Sequence, residues 1–414
     1  MNSCNKHFLS ILKAAILDNP APDCDTLTAE EWADLTELAL KHKILPLFAE
    51  AIQQIPGAHE ALASHKSFIR QNVITQALKT REFLALYQAL DAAGIRPVVV
   101  KGIICRNLYC KPDHRISSDE DLLVPPDQFD DACSVIKEFG MTAPAHGPDA
   151  YEVPFRKPGG SLFIELHRSL FPPESEAYGD WNRFFTGVFD HAVPETIAGN
   201  AISTLEPTDH LFYLICHALK HFLHSGFGIR QVCDIVLFAN AYGPQLDWNR
   251  IMEQCAEIHA VDFAAAIFRI GENHLTFDPV KACYPKAWRT RQVDEEPMLE
   301  DLLSGGIYGS ASISRIHSSN ITLDAMAADR QGKQRRGSVI ASLFPSARKL
   351  EAGYPYLKKH PWLLPVAWCQ RIVKYGTQIE KNTDNSALDA VKIGSRRVEL
   401  LRLYGLICIE ERKR

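Results

Sequence analysis

Two aspartates one residue apart, in the run Arg115-Ile116-Ser117-Ser118-Asp119-Glu120-Asp121, are the side chains of this sequence best suited to hold divalent cations. Ser118 to Val124 reads as a strand stopped by Pro125-Pro126. Residues i and i+2 of a strand share a face, so Asp119 and Asp121 project together while Glu120 faces away. At a rise of ~3.3 Å per residue the pair is ~7 Å apart at Cα. That span can bracket two Mg²⁺ ions ~3.5–4 Å apart. Mg²⁺ takes oxygen ligands, commonly one or two protein carboxylates with phosphates completing its shell. A D-x-D pair also suits a solvated strand edge. This strand, however, continues into Leu122-Leu123-Val124 and reads as interior, where paired carboxylates are costly unless their charge is compensated.

Compensation is close at hand in the chain. Ile95 to Gly102 is a β-branched run that ends in Lys101-Gly102 and leads straight into a helix over 103–110. That arrangement aims backbone N–H groups and a positive helix end at an anion, with glycine permitting close approach. A third carboxylate, Glu165, lies in Phe163-Ile164-Glu165-Leu166-His167, on the face opposite Ile164 and Leu166. Three carboxylates, a glycine-terminated strand and a lysine together describe a metal-dependent nucleotide site.

The elements that must position these residues form a β-α-β-α-β-β module over residues 91–175. A helix over 127–139 and a hairpin of Tyr151–Lys157 with Ser161–His167, turned at Pro158-Gly159-Gly160, complete it. Residues 1–90 read as successive helices. One opens at Thr28 with a hydroxyl cap and acidic first turn, and another runs from Ser67 to Ala93. Residues 176–330 are read as a helical domain completing the cleft, with Thr208 or Asp209 capping its first long helix. Residues 304–347 are read as irregular with a mobile loop, and 331–414 as a basic helical region broken at Pro355, Pro361 and Pro365.

The combination V-V-V-K-G, R-x-x-x-D-x-D-L-L-V and I-E-L-H resembles the polymerase-β-like nucleotidyltransferase superfamily. More closely, it is similar to a bacterial family of uncharacterised nucleotidyltransferases. The resemblance extends to Lys41-His42-Lys43-Ile44-Leu45-Pro46, the His217/His221 helix, the segment from Gly228 to Ile235, Leu246-Asp247-Trp248 and Leu343-Phe344-Pro345-Ser346. It implies an α+β fold, a small mixed-sheet core embedded in N- and C-terminal helical regions. It also implies Mg²⁺- or Mn²⁺-dependent transfer of a nucleoside monophosphate from an NTP, ATP being the expected one, to an acceptor with pyrophosphate release. Asp119, Asp121 and Glu165 would then be catalytic and hold the metals, with Glu165 helping to activate the acceptor hydroxyl. Lys101, Gly102, Arg115, His167, His217 and His221 would bind the nucleotide. For Lys101 and Arg115 a salt bridge to Asp119 or Asp121 is an equal reading, compatible with the first. Three departures stand out: Ile103 replaces the family's small hydroxyl residue, the gap between Gly102 and Asp119 is longer than usual, and Glu120 stands where an apolar residue is expected. Ile103 and Glu120 motivate an alternative, a degenerate nucleotide-binding regulatory or interaction module.

His210, His217, His221 and His224 are 7, 4 and 3 residues apart, which puts them on one helical stripe. His217 and His221 have the spacing of a zinc pair, but the metalloprotease glutamate is missing between them. The stripe is therefore either solvated or hydrogen-bonded, or else turned towards nucleotide or acceptor.

Composition bounds the rest. The 414 residues are 46% hydrophobic and 23% charged, which is ordinary for a folded soluble chain. No stretch approaches the ~20 apolar residues of a membrane span. The 11 cysteines are odd in number and without a C-x-x-C pair, a pattern of reduced thiols in a cytoplasmic protein. The net charge of -5 hides an asymmetry. Residues 331–414 carry 17 Lys and Arg against 7 Asp and Glu, net +10, leaving net -15 before them. Nucleic acid is thus not an expected partner of the first 330 residues, whereas the basic end leaves RNA-directed transfer open. That end either docks on the acidic body or walls an anionic ligand.

Overall fold

The computed structural model describes residues 1–305 apart from 20, 23, 25, 26 and 225, together with 313–330, 347–350, 354–370 and 387–407. Its architecture is α+β. Five helices come first: α1 (Ser3–Ile16), α2 (Ala29–Lys41), α3 (Leu45–Ile52), α4 (Pro56–Ala63) and α5 (Lys66–Ala92). Thr28 caps α2 as its sequence predicts: its side chain accepts from the Glu31 N–H, and the Glu31 carboxylate accepts from the Thr28 N–H. Such a reciprocal box satisfies two otherwise orphaned donors.

Strands β1 (Val98–Val100), β2 (Glu120–Leu123), β3 (Glu152–Arg156) and β4 (Phe163–His167) appear in the expected order. Between them lie α6 (Gly102–Arg106) and α7 (Phe129–Glu138), α6 being shorter than the helix expected over 103–110. The sheet then gains two strands that the sequence pattern did not predict, β5 (Val193–Ile197) and β6 (Asn200–Thr204). They form an antiparallel hairpin whose β6 joins β1 in parallel, giving the order β3-β4-β2-β1-β6-β5. β1 is antiparallel to β2, and β2 is parallel to β4. Register aligns Val100 with Asp121 and Asp121 with Glu165. All three residues of β1 are buried, in keeping with an unbroken Val run in a central strand.

The second helical set is α8 (Pro207–Leu223), α9 (Ile229–Tyr242), α10 (Trp248–Glu257), α11 (Val261–His274), α12 (Lys286–Arg289), α13 (Glu296–Gly305) and α14 (Ile313–Arg330). The cap of α8 is Glu206, which accepts from the Thr208 and Asp209 N–H groups. Pro207 at the first helical position shifts the cap ahead of the expected Thr208 or Asp209. Ile313–Arg330 is helical rather than irregular, whereas 306–312 lie outside the described residues. The helix Ala387–Leu403 packs on α14. There the basic region is partly absorbed into the body: buried Arg397 donates to the Phe222 and His224 carbonyls, and Arg396 pairs with Glu300. Arg335, Arg336 and the Leu343–Ser346 segment lie outside the described residues.

Among the described residues the cysteines form no disulfide; six of them are buried, while Cys110, Cys283 and Cys369 are exposed. No described helix is long and apolar enough to cross a membrane.

Candidate active site

Cross-strand register brings the carboxylates together. Asp121 is 1% exposed, and its Oδ1 lies 3.0 Å from Lys101 Nζ and 3.0 Å from His167 Nε2. Its Oδ2 is buried without a hydrogen-bond partner. Glu165, aligned with Asp121 in register, reaches within 3.9 Å of His167 Nε2. One donor atom from each of Asp121, Glu165 and His167 lies within 4.8 Å of the others.

Asp119 takes a different position. It precedes β2 rather than lying in it, and its Oδ2 is 4.0 Å from Lys101 Nζ. The cation that stands against both aspartates is the chain's own ammonium. Against the opposing effect of burial, Lys101, with Lys79 and Arg230 behind it, holds the Asp119 carboxyl down to about 2. Burial first, then the negative charge of Asp121, pushes Glu165 up to about 8. One lysine does not balance three carboxylates, so Glu165 keeps its proton at neutral pH until a further cation arrives.

The donor set fits a divalent cation. The orphaned Asp121 Oδ2 and the Glu165 carboxylate are hard oxygen donors. His167 either adds an imidazole ligand or orients Asp121 through its hydrogen bond, as partners of ligating carboxylates do.

The Lys101–Gly102 turn departs from expectation. Both residues have positive φ, 44° and 39°. The Ile103 N–H at the start of α6 does not face an external anion, because it donates to Glu120 Oε2 at 2.6 Å. Glu120 does face away from Asp119 and Asp121, but into a fully buried network rather than to solvent. Its Oε1 accepts from Arg106 at 2.7 Å and from Ser117 at 3.0 Å, and Lys79 Nζ lies 3.3 Å away. Arg106 and Lys79, against the effect of burial, lower its pKa. Two of the departures, Ile103 and Glu120, are therefore one structural device: the chain supplies the anion at this helix start. Gly102 serves the close approach of Glu120.

Helix α8 lies over the same face. The histidine stripe is hydrogen-bonded, and two of its members also line a cavity. His210 is fully buried; its Nε2 accepts from the Lys101 N–H at 3.0 Å, and its Nδ1 lies 3.2 Å from Thr204 Oγ1. Thr204 donates its own hydroxyl proton to the Val99 carbonyl at 2.7 Å. The imidazole is thereby assigned as the neutral Nδ1–H tautomer. His217 Nε2 lies 3.1 Å from Lys101 Nζ and 3.1 Å from His221 Nε2, and burial pushes both imidazoles well below their usual range. His224 instead meets the Tyr178 hydroxyl at 2.7 Å.

A cavity of about 160 Å³ opens beside Lys101. It is lined by Lys43, Lys101, Gly102, Arg115 and Asp119 from one side of the chain and by His217, His221, Arg230 and Asp234 from α8 and α9. The partner of Arg115 is neither Asp119 nor Asp121. Its guanidinium grips both oxygens of Asp234, whose Oδ1 also accepts from Tyr109 at 2.8 Å. Lys43 and Arg230 are cavity residues to which sequence pattern alone assigns no role. Lys43 belongs to the Lys41–Pro46 segment that carries part of the family resemblance, and Arg230 is a neighbour of the histidine stripe.

The mixed sheet thus sets Asp121 and Glu165 in register on neighbouring strands, with Lys101 against Asp121 and a basic cavity alongside. The sequence family described as uncharacterised nucleotidyltransferase matches residues 28–275, well over half the chain, and this chain belongs to it. Among solved structures, the chain is similar to an antigenic nucleotidyltransferase-like protein from Paracoccidioides brasiliensis, with 14% identity and a TM-score of 0.30. That similarity covers 49% of this chain and 96% of the other. No curated protein matches.

Proposed function

We propose that this protein transfers a nucleoside monophosphate from an NTP, with ATP the expected donor, to a hydroxyl of a small molecule or protein side chain, releasing pyrophosphate. The observation that carries the reading is the alignment of Asp121 with Glu165 beside Lys101, with an orphaned Asp121 oxygen at hand. Asp119, Asp121 and Glu165 would hold Mg²⁺ or Mn²⁺, with His167 as a further ligand or as the partner that orients Asp121. When bound, the ion neutralises phosphate charge and polarises the reacting oxygens. Lys101 supplies a fixed positive charge at the phosphates, and His217 and His221 face the same cavity as neutral hydrogen-bonding groups. Arg115 stays paired to Asp234 and presents a guanidinium edge already fixed in place. Phosphoryl-type transfer asks chiefly for positioning and charge neutralisation, which this set provides.

The test is incubation with each α-labelled NTP, with Mg²⁺ or Mn²⁺, in a cell lysate, following label transfer and pyrophosphate release. The double variant Asp119→Asn/Asp121→Asn is expected to abolish both, and turnover at the parental rate sinks the reading. Glu120 filling the start of α6 favours a second reading, a nucleotide-binding module without transfer. Calorimetric NTP binding without pyrophosphate release from any acceptor pool would select it. Label carried by tRNA would instead assign the activity to RNA.

A further inference from the structure

Two of the cations around the cavity have no carboxylate at ion-pair distance. Lys101 is matched by Asp121 and Asp119, and Arg115 by Asp234. That leaves Lys43 and Arg230. Lys43 Nζ donates to the Ser118 hydroxyl at 3.1 Å, and Arg230 donates to the Ile116 carbonyl. Neither lies within ion-pair distance of a carboxylate among the described residues. Arg230 Nε is buried without a hydrogen-bond partner. Burial first, then Arg230, lowers Lys43 against the pull of Asp119, while burial and Arg115 bring Arg230 down to about 10 against Asp234 and Asp119. Lys43 also holds a positive φ of 52°, a conformation that persists in a non-glycine residue only where the surroundings impose it.

Two half-buried cations with no carboxylate at ion-pair distance, on which Asp119 and Asp234 act only from farther off, are stabilised by an anion bound between them. We infer that Lys43, delivered by the turn between α2 and α3, and Arg230, from the first turn of α9, form a subsite for the distal phosphates of the nucleoside triphosphate. This inference rests on the nucleotidyl-transfer reading and deepens it. The reacting α-phosphorus must sit at the carboxylates beside Lys101, so the polyphosphate tail extends into the cavity where Lys43 and Arg230 wait. The subsite makes the N-terminal helices part of the nucleotide site. It also explains why the cavity needs more positive charge than Lys101 alone supplies, since Lys101 is already committed to two aspartates.

Calorimetry at fixed ionic strength with inorganic tripolyphosphate, pyrophosphate and AMP tests the subsite without requiring turnover. Lys43→Asn, in which asparagine tolerates the positive φ, and Arg230→Gln are each expected to weaken tripolyphosphate binding roughly 10-fold or more, as loss of a charge-assisted contact does. AMP binding should stay within about 2-fold, because AMP lacks the groups these charges meet. Lys286→Ala, an exposed lysine on α12, should leave all three ligands unchanged, which separates local contacts from the general field. Circular dichroism and melting of each variant report its folding. Unchanged tripolyphosphate affinity in both folded variants overturns the inference, as does an equal loss for AMP or failure of the parent protein to bind tripolyphosphate. Should the parent bind tripolyphosphate through these residues yet transfer no label, the subsite stands and the transfer reading falls. Label transfer by the parent, with both variants still binding tripolyphosphate normally, overturns the subsite and leaves the transfer reading intact.

Discussion

Glu120 and Gly102 are packed so closely that a Cβ at residue 102 would collide with Glu120 Oε2. The same carboxylate oxygen accepts the Ile103 N–H, so the buried acid clamps the turn that carries Lys101 from behind. The turn in front of the carboxylate trio is thus held by a residue on the far face of the same strand. Asp121 points to the site and Glu120, its neighbour, fixes the lysine that balances it.

Gly102→Ala is accordingly expected to be destabilising by at least about 1–3 kcal/mol, the cost of a non-glycine residue in the left-handed region, before any steric term. Denaturant unfolding measures it. The same variant should lower affinity for tripolyphosphate, because Lys101 moves with the turn. A neutral Gly102→Ala would mean that Glu120 does not constrain this turn.

Asp234→Asn tests a second buried pair. It leaves the Arg115 guanidinium, 5% exposed, without its counter-charge. Removing one member of a buried pair costs about 3–5 kcal/mol. Tyr109→Phe, which removes only the third hydrogen bond to Asp234, should cost about 0.5–1.5 kcal/mol. If Asp234→Asn proved as mild as Tyr109→Phe, Arg115 would have to find another partner, and its fixed orientation in the cavity would be lost.

Cation binding gives a third measurement. Mg²⁺ or Mn²⁺ at about 100 times its dissociation constant should stabilise the parent by about 2.7 kcal/mol. Asp121→Asn should abolish that gain, since Asp121 supplies the orphaned oxygen. Glu165 is pushed up to about 8, so binding must displace its proton, and affinity should rise as pH approaches and passes that value. An ion-induced gain that survives in Asp121→Asn would place the cation elsewhere.

How much of this was legible in the sequence depends on how far apart the partners lie. The Val98–Val100 run, the D-x-D strand and the E-x-H strand were readable because each signal is local, a period of two with glycine or proline at its ends. Alternation also assigned Glu120 correctly to the face opposite Asp121. It could not reveal that this face is buried, because Lys79 and Arg106 lie 41 and 14 residues away in the sequence. Arg115 was likewise matched to nearby aspartates, whereas Asp234 reaches it across 119 residues. Strands β5 and β6 escaped because Pro194-Glu195-Thr196 alternates weakly, as an edge strand with one solvated face can. Helical spacing places the four histidines on one stripe but does not tell which neighbour each imidazole meets.

His210 shows what that neighbour does. An imidazole in the unfolded chain titrates near 6.5. In the folded protein burial pushes His210 down to about 3. Between those values the unfolded state binds a proton that the native state does not. The contribution of this residue to stability is therefore complete above about pH 6.5 and is lost as pH falls towards 3. The loss is about 1.4 kcal/mol per pH unit for one such group. His42, also fully buried and pushed down to about 4 by burial, adds to the slope over the same range. His210→Gln keeps an acceptor for the Lys101 N–H but cannot titrate there. Its unfolding free energy should accordingly fall less steeply than the parent's between about pH 6 and pH 4.5, by close to one proton's worth of slope. The curves should converge in slope above about pH 7, where both side chains are neutral. Parallel curves across the acid range would show that His210 already carries a proton in the folded state, and the hydrogen bond that holds Lys101 to α8 would then have to be reassigned.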